Sequence, residues 1–301
     1  MTKKLTPLLV LLMLLNACSL RDEPPLPTPM ADIHLHYNWN QAEVITPKEV
    51  LEILKKHHVT HAVVSSRPSK MALELSELSQ GRVLPIYSPY YKAGIKQTWF
   101  LKKEVLEEAR VALATGRYAG IGEMHLVSGS GPHRNSPVVL GFIELARQYQ
   151  IPLLIHTDAS SSDYLKPICQ KHSDVRFLWA HAGGILNAAE VDRLMGVCPN
   201  VWVELSARDP WHYDGLVGAD KQLLPGWKDL FEKYPERFMT GSDPVWNAHQ
   251  TYRWYEADEG WFHYQKLNDF HRQWMLQLSA STEKKIRIDN ALKFFNFNSV
   301  K

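Results

Sequence analysis

Eight short runs rich in β-branched and aromatic residues alternate with stretches of helical periodicity, and this alternation constrains the fold more than any other feature. The runs are ADIHLH (31–36), THAVVSS (60–66), RVLPIYS (82–88), YAGIGEMH (118–125), IPLLIHT (151–157), VRFLWAH (175–181), NVWVELS (200–206) and RFMTGSD (237–243). Amphipathic segments such as 47–58, 99–116 and 136–150 lie between them. The segment 99–116 carries apolar residues at 101, 105, 106, 109, 112 and 113, close to helical spacing. Pro47 and Pro137 suit helix starts, and Gly116 suits a helix stop. Eight strand–helix pairs in about 270 residues imply an α/β chain folded as a (β/α)8 TIM barrel. A doubly wound open sheet is the competing architecture, but it ordinarily places a glycine-rich turn after its first strand. Here that strand runs into His-Tyr-Asn-Trp-Asn (36–40). No linker-like stretch interrupts the alternation, so residues 31–301 read as one domain.

The N-terminal residues follow another pattern. Lys3 and Lys4 precede an unbroken apolar run from Leu8 to Leu15. That run falls well short of the roughly 20 residues needed to span a bilayer, but it suits a secretory leader. Leu15-Asn16-Ala17-Cys18 follows and resembles a bacterial lipoprotein signal, in which a small residue precedes a cysteine that receives the lipid. The resemblance implies a signal peptide over 1–17, a lipidated Cys18, and a protein held on the periplasm-facing or extracellular side of a membrane. A plain secretory signal with an incidental cysteine is the alternative. Residues 18–30 carry Pro24, Pro25, Pro27 and Pro29, which favour extended polyproline II and forbid a regular helix. As a tether, this stretch reaches roughly 35–40 Å. No second apolar stretch reaches spanning length, so the lipid would be the only membrane attachment.

Lys plus Arg total 34 against 32 Asp plus Glu, with neither the basic excess nor the basic clusters of a polyanion-binding surface. Nucleic acid is therefore not an expected partner, and a small-molecule substrate is. Besides Cys18 there are only Cys169 and Cys198, with no Cys-x-x-Cys motif, so cysteine catalysis has little support. Export would place these two in an oxidising compartment. A bridge between the helices after strands 5 and 6, and a pair of buried free thiols, both fit the sequence; the free thiols are the favoured reading.

The polar residues at strand ends are not scattered. His34 and His36 share one face of strand 1, since residues i and i+2 point the same way. Strand 4 ends in Glu123, strand 5 in His156, strand 6 in His181 and strand 8 in Asp243. Each alone has a bland reading, as a hydrogen-bonded neutral imidazole or a turn aspartate. Together they put four imidazoles and two carboxylates at the C-terminal rim of a barrel, where such enzymes build their sites. These are the usual ligands of Zn²⁺ and related divalent ions.

The pieces DIHLH, GIGEMH, LLIHTD, WAHAGG and TGSD, in that order, together with IRIDNALKFF (286–295), resemble the amidohydrolase superfamily of metal-dependent hydrolases over about residues 31–297. The resemblance implies that His34, His36 and Asp243 hold one divalent metal, with Zn²⁺ the expected ion. His156 is a further ligand in single-metal members, where the strand-6 histidine, here His181, orients water or substrate. In two-metal members a strand-4 carboxylate bridges the ions, and the strand-5 and strand-6 histidines hold the second. Glu123 suits that bridge, so two ions are favoured over one; the alternative is that Glu123 accepts a hydrogen bond from a liganding histidine. Asp243 would take a proton from the attacking water, and His181 would assist catalysis.

His125 shares a face with Glu123, and Arg208 follows strand 7 in ELSARDP. Both are candidate substrate-binding residues, His125 with a supporting role and Arg208 with a salt bridge to Asp209 or Asp214 as the alternatives. Trp246 opens an aromatic-rich segment (245–264) that reads either as a substrate wall or as packing for an added helix. The expected function is hydrolysis of a lactone, ester or amide. A decarboxylase of the same fold, a non-catalytic binding lipoprotein and a phosphoester hydrolase are the competing readings.

Overall fold

Each β-rich run yields a strand, and from β3 onward the strands are shorter than the runs. The computed structural model describes residues 27–91, 95–128, 131–158, 160–246 and 256–297. The leader, Cys18 and most of the proline-rich stretch lie outside the described residues, as do Tyr252, Trp254 and Tyr255. β1 (Met30–His36), β2 (Val59–Ser65) and β3 (Val83–Ile86) form one parallel sheet. β4 (Ile121–His125), β5 (Leu153–His156), β6 (Phe177–Trp179), β7 (Val201–Glu204) and β8 (Phe238–Met239) form a second, paired in chain order. Two hydrogen-bonded seams join the sheets. Tyr87 N donates to Gly120 O (2.9 Å) and Gly122 N to Tyr87 O (2.8 Å), linking β3 to β4. Ile33 N donates to Thr240 O (3.0 Å) and Asp243 N to His34 O (2.8 Å), linking β8 to β1. The chain is a (β/α)8 barrel.

The connections run through helices whose starts are readable in the sequence. Thr46 and Glu49 form a reciprocal capping box at α1 (Pro47–Lys56). α2 (Lys70–Leu78) follows β2, and Ser136 caps α4 (Pro137–Tyr149). The expected helix over 99–116 is interrupted. Trp99–Leu101 forms a 3₁₀ turn, Lys102 is extended, and α3 begins at Glu104 and runs to Ala114. The cause is Trp99, which is buried with its ring 5.9 Å from those of Tyr90 and Phe142. A continuous helix would not let it reach them. α5 (Ser162–Lys171), α6 (Ala188–Met195), α7 (Trp227–Lys233) and α8 (Tyr264–Met275) complete the ring, and α9 (Ala280–Lys284) and α10 (Asn290–Phe294) end the described chain. Among the described residues no helix is long and apolar enough to cross a membrane.

Side-chain alternation divides the barrel into storeys. In β5, Leu153 and Ile155 pack outward with Phe142 and Leu165 of the helices, while Leu154 joins the inner cluster. That cluster holds Ala31, Ile33, Val63, Leu84, Leu178 and Met239, and Phe294, Phe295 and Phe297 close it from below. The lower interior is therefore dry and apolar, and polar side chains collect at the opposite, C-terminal rim.

Cys169 in α5 and Cys198 just past α6 are joined in a disulfide, which corrects the favoured reading of free thiols. Consecutive helices are neighbours in this ring, and their packing brings the two Cα atoms to 5.8 Å, within bridging range. The bridge closes a loop with a sequence separation of 29. Replacing both cysteines by alanine should cost roughly 3–4 kcal/mol in the chain-entropy model, read as a lower denaturant midpoint with metal content unchanged.

Candidate active site

Two backbone irregularities aim the site inward. Ile33 faces the barrel interior and Leu35 the helices, so strict alternation would not keep one parity inside along β1. A register shift between Asp32 and Leu35 re-aims the chain, and His34 and His36 both reach the central cluster. β4 does the same between Ile121 and Met124, where Gly122 adopts φ +138° with Leu154 O only 2.5 Å from where a Cβ would sit. Only glycine fits there. The Ser65 hydroxyl donates to Gly122 O (2.7 Å) and accepts from Glu123 N (3.2 Å), fixing the Glu123 backbone.

The imidazoles are oriented by what their outer nitrogens touch. His36 Nδ1 donates to Ser65 O (3.0 Å), and His34 Nδ1 donates to Glu204 Oε1 (2.8 Å). Their Nε2 atoms face each other at 3.2 Å. Asp243 Oδ1 lies 3.3 Å from His36 Nε2, buried and without a hydrogen-bond partner. Glu123 Oε2 lies 3.6 Å from His36 Nε2 and 3.9 Å from His34 Nε2. The other Glu123 oxygen, Oε1, lies 2.5 Å from His156 Nδ1 and 3.2 Å from His181 Nε2. His181 Nδ1 is engaged by Ser206 O (3.1 Å), and His156 Nε2 stands 2.9 Å from Asp158 Oδ2.

This set fits divalent metal. Two lone-pair-bearing nitrogens at 3.2 Å repel unless a cation lies between them. Two ligands on one tetrahedral ion, with bonds of about 2.0–2.1 Å, stand about 3.3 Å apart. On His34, His181 and His156 burial works against charge, yet the carboxylates prevail. Glu204 raises the pKa of His34 to about 10, Asp158 and Glu123 raise His181 to about 10, and Glu123 and Asp158 raise His156 to about 9. Glu123 is held well below the usual carboxylate range by His156 and His125, against the upward push of burial. The cluster demands positive charge between its members, and divalent ions supply it as protons leave.

A family model described as amidohydrolase matches residues 95–297, more than half of the chain. The chain belongs to the amidohydrolase family. It is a metal-dependent hydrolase of that superfamily, whose members bind divalent metal. A search of curated proteins by sequence returns no match. Among solved structures, the fold is similar to an amidohydrolase from Burkholderia multivorans with bound zinc, at 15% identity over 89% of this chain and 99% of that one, TM-score 0.53. It is also similar to a TatD homologue from Escherichia coli K12, at 12% identity over 89% and 98%, TM-score 0.60. A dihydroorotase from Campylobacter jejuni matches at 14% identity over 89% and 83%, TM-score 0.51.

In this enzyme the six expected ligands, His34, His36, Glu123, His156, His181 and Asp243, converge on one centre. His181 and Asp243 lie just past their strands in left-handed backbone (φ +56° and +45°). Hydrogen bonds hold both there, from His181 N to Glu204 Oε1 (2.7 Å) and from Asp243 N to His34 O (2.8 Å). A cavity of about 250 Å³ opens above them, lined by His36, Ser65, Arg67, Ser88, Tyr90, Lys96, Glu123, His125, His156, Tyr213, Asp243 and Val245. His125 therefore belongs to the mouth. The Tyr90 hydroxyl accepts from His125 N (3.0 Å) and faces His125 Nδ1 at 2.6 Å, leaving Nε2 as the donor side of the ring.

Two expectations are corrected. Arg208 neither lines the cavity nor pairs with Asp209 or Asp214. It is wholly buried, donating to Leu186 O (2.8 Å) and Gly215 O (3.0 Å) with its guanidinium 5.0 Å from the Trp227 ring centre. Trp246 does not line the cavity: its ring stacks at 3.8 Å on His263, in the turn just before α8, and Lys266 Nζ of α8 lies 3.5 Å from its ring centre. Trp261 and Tyr264 of the same segment are braces, donating to His36 O (2.9 Å) and Asp32 Oδ2 (2.8 Å).

Sequence reasoning missed Glu204, Asp32, Asp158, Arg67 and Lys96. The one available signal was an acid at the end of strand 7 or beside a liganding histidine. Asp32 accepts from His34 N (3.3 Å) and Ser242 N (3.0 Å), and burial lifts its pKa to about 6 against those bonds. Glu204→Gln should weaken metal binding about 10–100-fold, measured by chelator competition, because His34 loses the carboxylate that orients it.

Proposed function

We propose that this enzyme hydrolyses a carbonyl substrate (a lactone, ester or amide) with two zinc ions, and that it works from a lipid anchor on Cys18 facing the periplasm. The observation that carries the metal reading is Glu123, which turns one oxygen to His34 and His36 and the other to His156 and His181. In this reading His34, His36, Asp243 and Glu123 would hold one ion, and His156, His181 and Glu123 would hold the other. The imidazole–carboxylate donor set and the zinc bound to the Burkholderia amidohydrolase support the choice of metal.

A divalent ion there supplies a Lewis acid for a carbonyl oxygen and a source of hydroxide at neutral pH. The chain supplies the rest. Asp243 Oδ1, buried and unpartnered beside the cavity, accepts the proton and passes it to the leaving group. His125 stays neutral, because burial and the nearby charges of Lys96 and His156 push its pKa well down, and it presents Nε2–H to the substrate. Tyr213 stays protonated, because burial and the Asp158 carboxylate push its phenol well above its usual value. Arg208 would favour decarboxylation if it clamped a carboxylate, but it is buried outside the cavity, with Nη2 donating to backbone carbonyls.

Exhaustive chelation should abolish hydrolysis in a screen of lactones, esters and amides, and Zn²⁺ should restore it. Asp243→Asn should lower kcat by about 10²–10⁴. Release of CO₂ without ester or amide cleavage would move the assignment to a decarboxylase.

The anchor rests on Lys3, Lys4, the Leu8–Leu15 run and Ala17-Cys18, with 1–17 as signal, 18–30 as tether and 31–301 as the catalytic domain. Mass spectrometry of the mature protein should find Cys18 at the N-terminus carrying acyl chains. An unmodified N-terminus elsewhere would remove the anchor from this reading.

A further inference from the structure

Two arginines elsewhere in the barrel are engaged by backbone carbonyls. Arg237 donates to the carbonyls of Val201, Met195 and Cys198, and Arg176 to those of Phe294 and Gln150; both line a larger hollow of about 590 Å³ away from the metal ligands. Arg67 and Lys96 differ. Both line the catalytic mouth, and among the described residues neither charged group has a hydrogen-bond or ion-pair partner. They reach it from successive connections, after β2 and after β3, so they share one side of the rim.

Their positions are built. Arg67 N donates to Asn38 Oδ1 (2.9 Å) and Arg67 O accepts from Trp39 N (3.1 Å), tying its backbone to the loop that follows His36. Lys96 sits in a turn closed by Thr98 N and Trp99 N donating to Ile95 O (2.9 and 2.8 Å), with Ile95 and Trp99 buried on either side. Lys96 keeps an exposed surface, yet the crowded rim and the Arg67 charge hold its pKa down to about 8. Two like charges in one small cavity are unfavourable without a counter-charge. The carboxylates that act on Lys96 are Glu123, Asp243 and Asp158; the first two are assigned to metal in the reading above, and Asp158 stands 2.9 Å from His156 Nε2.

We infer that the substrate carries an anionic group, a carboxylate or a phosphate, which Arg67 and Lys96 hold at the rim while the scissile carbonyl lies over the metal ligands. This deepens the hydrolase reading and rests on it. Charge-assisted bonds from a guanidinium and an ammonium suit either anion, and about 250 Å³ limits the ligand to a small molecule.

The test is equilibrium binding to the zinc-loaded full chain by calorimetry, which needs no turnover. Three probes share an acetamido group: N-acetylglycine, N-acetylaminomethylphosphonate and the neutral N-acetylglycinamide. At least one anion should bind about tenfold or more tighter than the amide, and the tighter of the two tells carboxylate from phosphate. Arg67→Gln with Lys96→Gln should bring that preference to within about twofold while leaving amide binding and zinc content unchanged. Arg67→Lys with Lys96→Arg should keep it. Equal binding of all three probes by the wild type, no binding of either anion at about 10 mM, or a preference that survives the double glutamine variant would each overturn the inference. The last outcome would place the anion on the metal. Failure to hydrolyse any carbonyl substrate would count against the hydrolase reading and leave these affinities intact.

Discussion

A single buried carboxylate ties the site together. Glu204, at the end of β7, accepts from His34 Nδ1 on β1, from His181 N just past β6, and through its second oxygen from Ser206 N (2.7 Å). It thus reaches across the short β8 to the first strand, next to the seam that closes the ring. Burial alone would raise its pKa, yet His34 holds it down to about 2, so the charge persists where no water reaches. His34 and His181 stand on either side of it, and this one carboxylate touches both, so the spacing of the two histidines depends on β7.

The barrel's two storeys explain why chemistry is confined to one end. Strands that follow strict alternation place an apolar side chain low and a polar one high on the same face: Leu154 below His156, and Trp202 below Glu204. β1 and β4 need bulges to do this, because Ile33 and Ile121 would otherwise set the wrong parity for His34 and Glu123. The irregular backbone and the reactive side chains occur together for that reason.

The fold and the convergence of six imidazole and carboxylate side chains were legible because they depend on patterns carried along the chain. Strand–helix alternation has a period, and strand-end histidines and acids stand out against apolar runs. What was illegible depends on the third dimension. Glu204 reads as an ordinary strand-end acid until His34 is placed beside it. Arg67 and Lys96 look like solvated loop cations, and only the shape of the rim turns them inward. Arg208 misled for the opposite reason, since its residue type suggests an anion clamp while packing buries it away from the cavity, with Nη2 donating to Leu186 O and Gly215 O. Helical periodicity over 99–116 was blind to the packing of Trp99, and the spacing of Cys169 and Cys198 carried no distance.

The floor of the barrel has a consequence for how the chain folds. Phe294, Phe295 and Phe297 seal the apolar interior against Ala31 and Ile33, and Thr240 donates to Ala31 O (2.9 Å) at the closing seam. The first strand is paired with β2 along one edge and finds its other neighbour only near β8, at a sequence separation of 209 for the Thr240–Ala31 bond. Until β8 and the Phe294, Phe295 and Phe297 segment are in place, that edge of β1 has no hydrogen-bond partner and the inner cluster has no floor. Closing the ring thus depends on contacts of high sequence separation, which form slowly and leave an aggregation-prone edge open meanwhile.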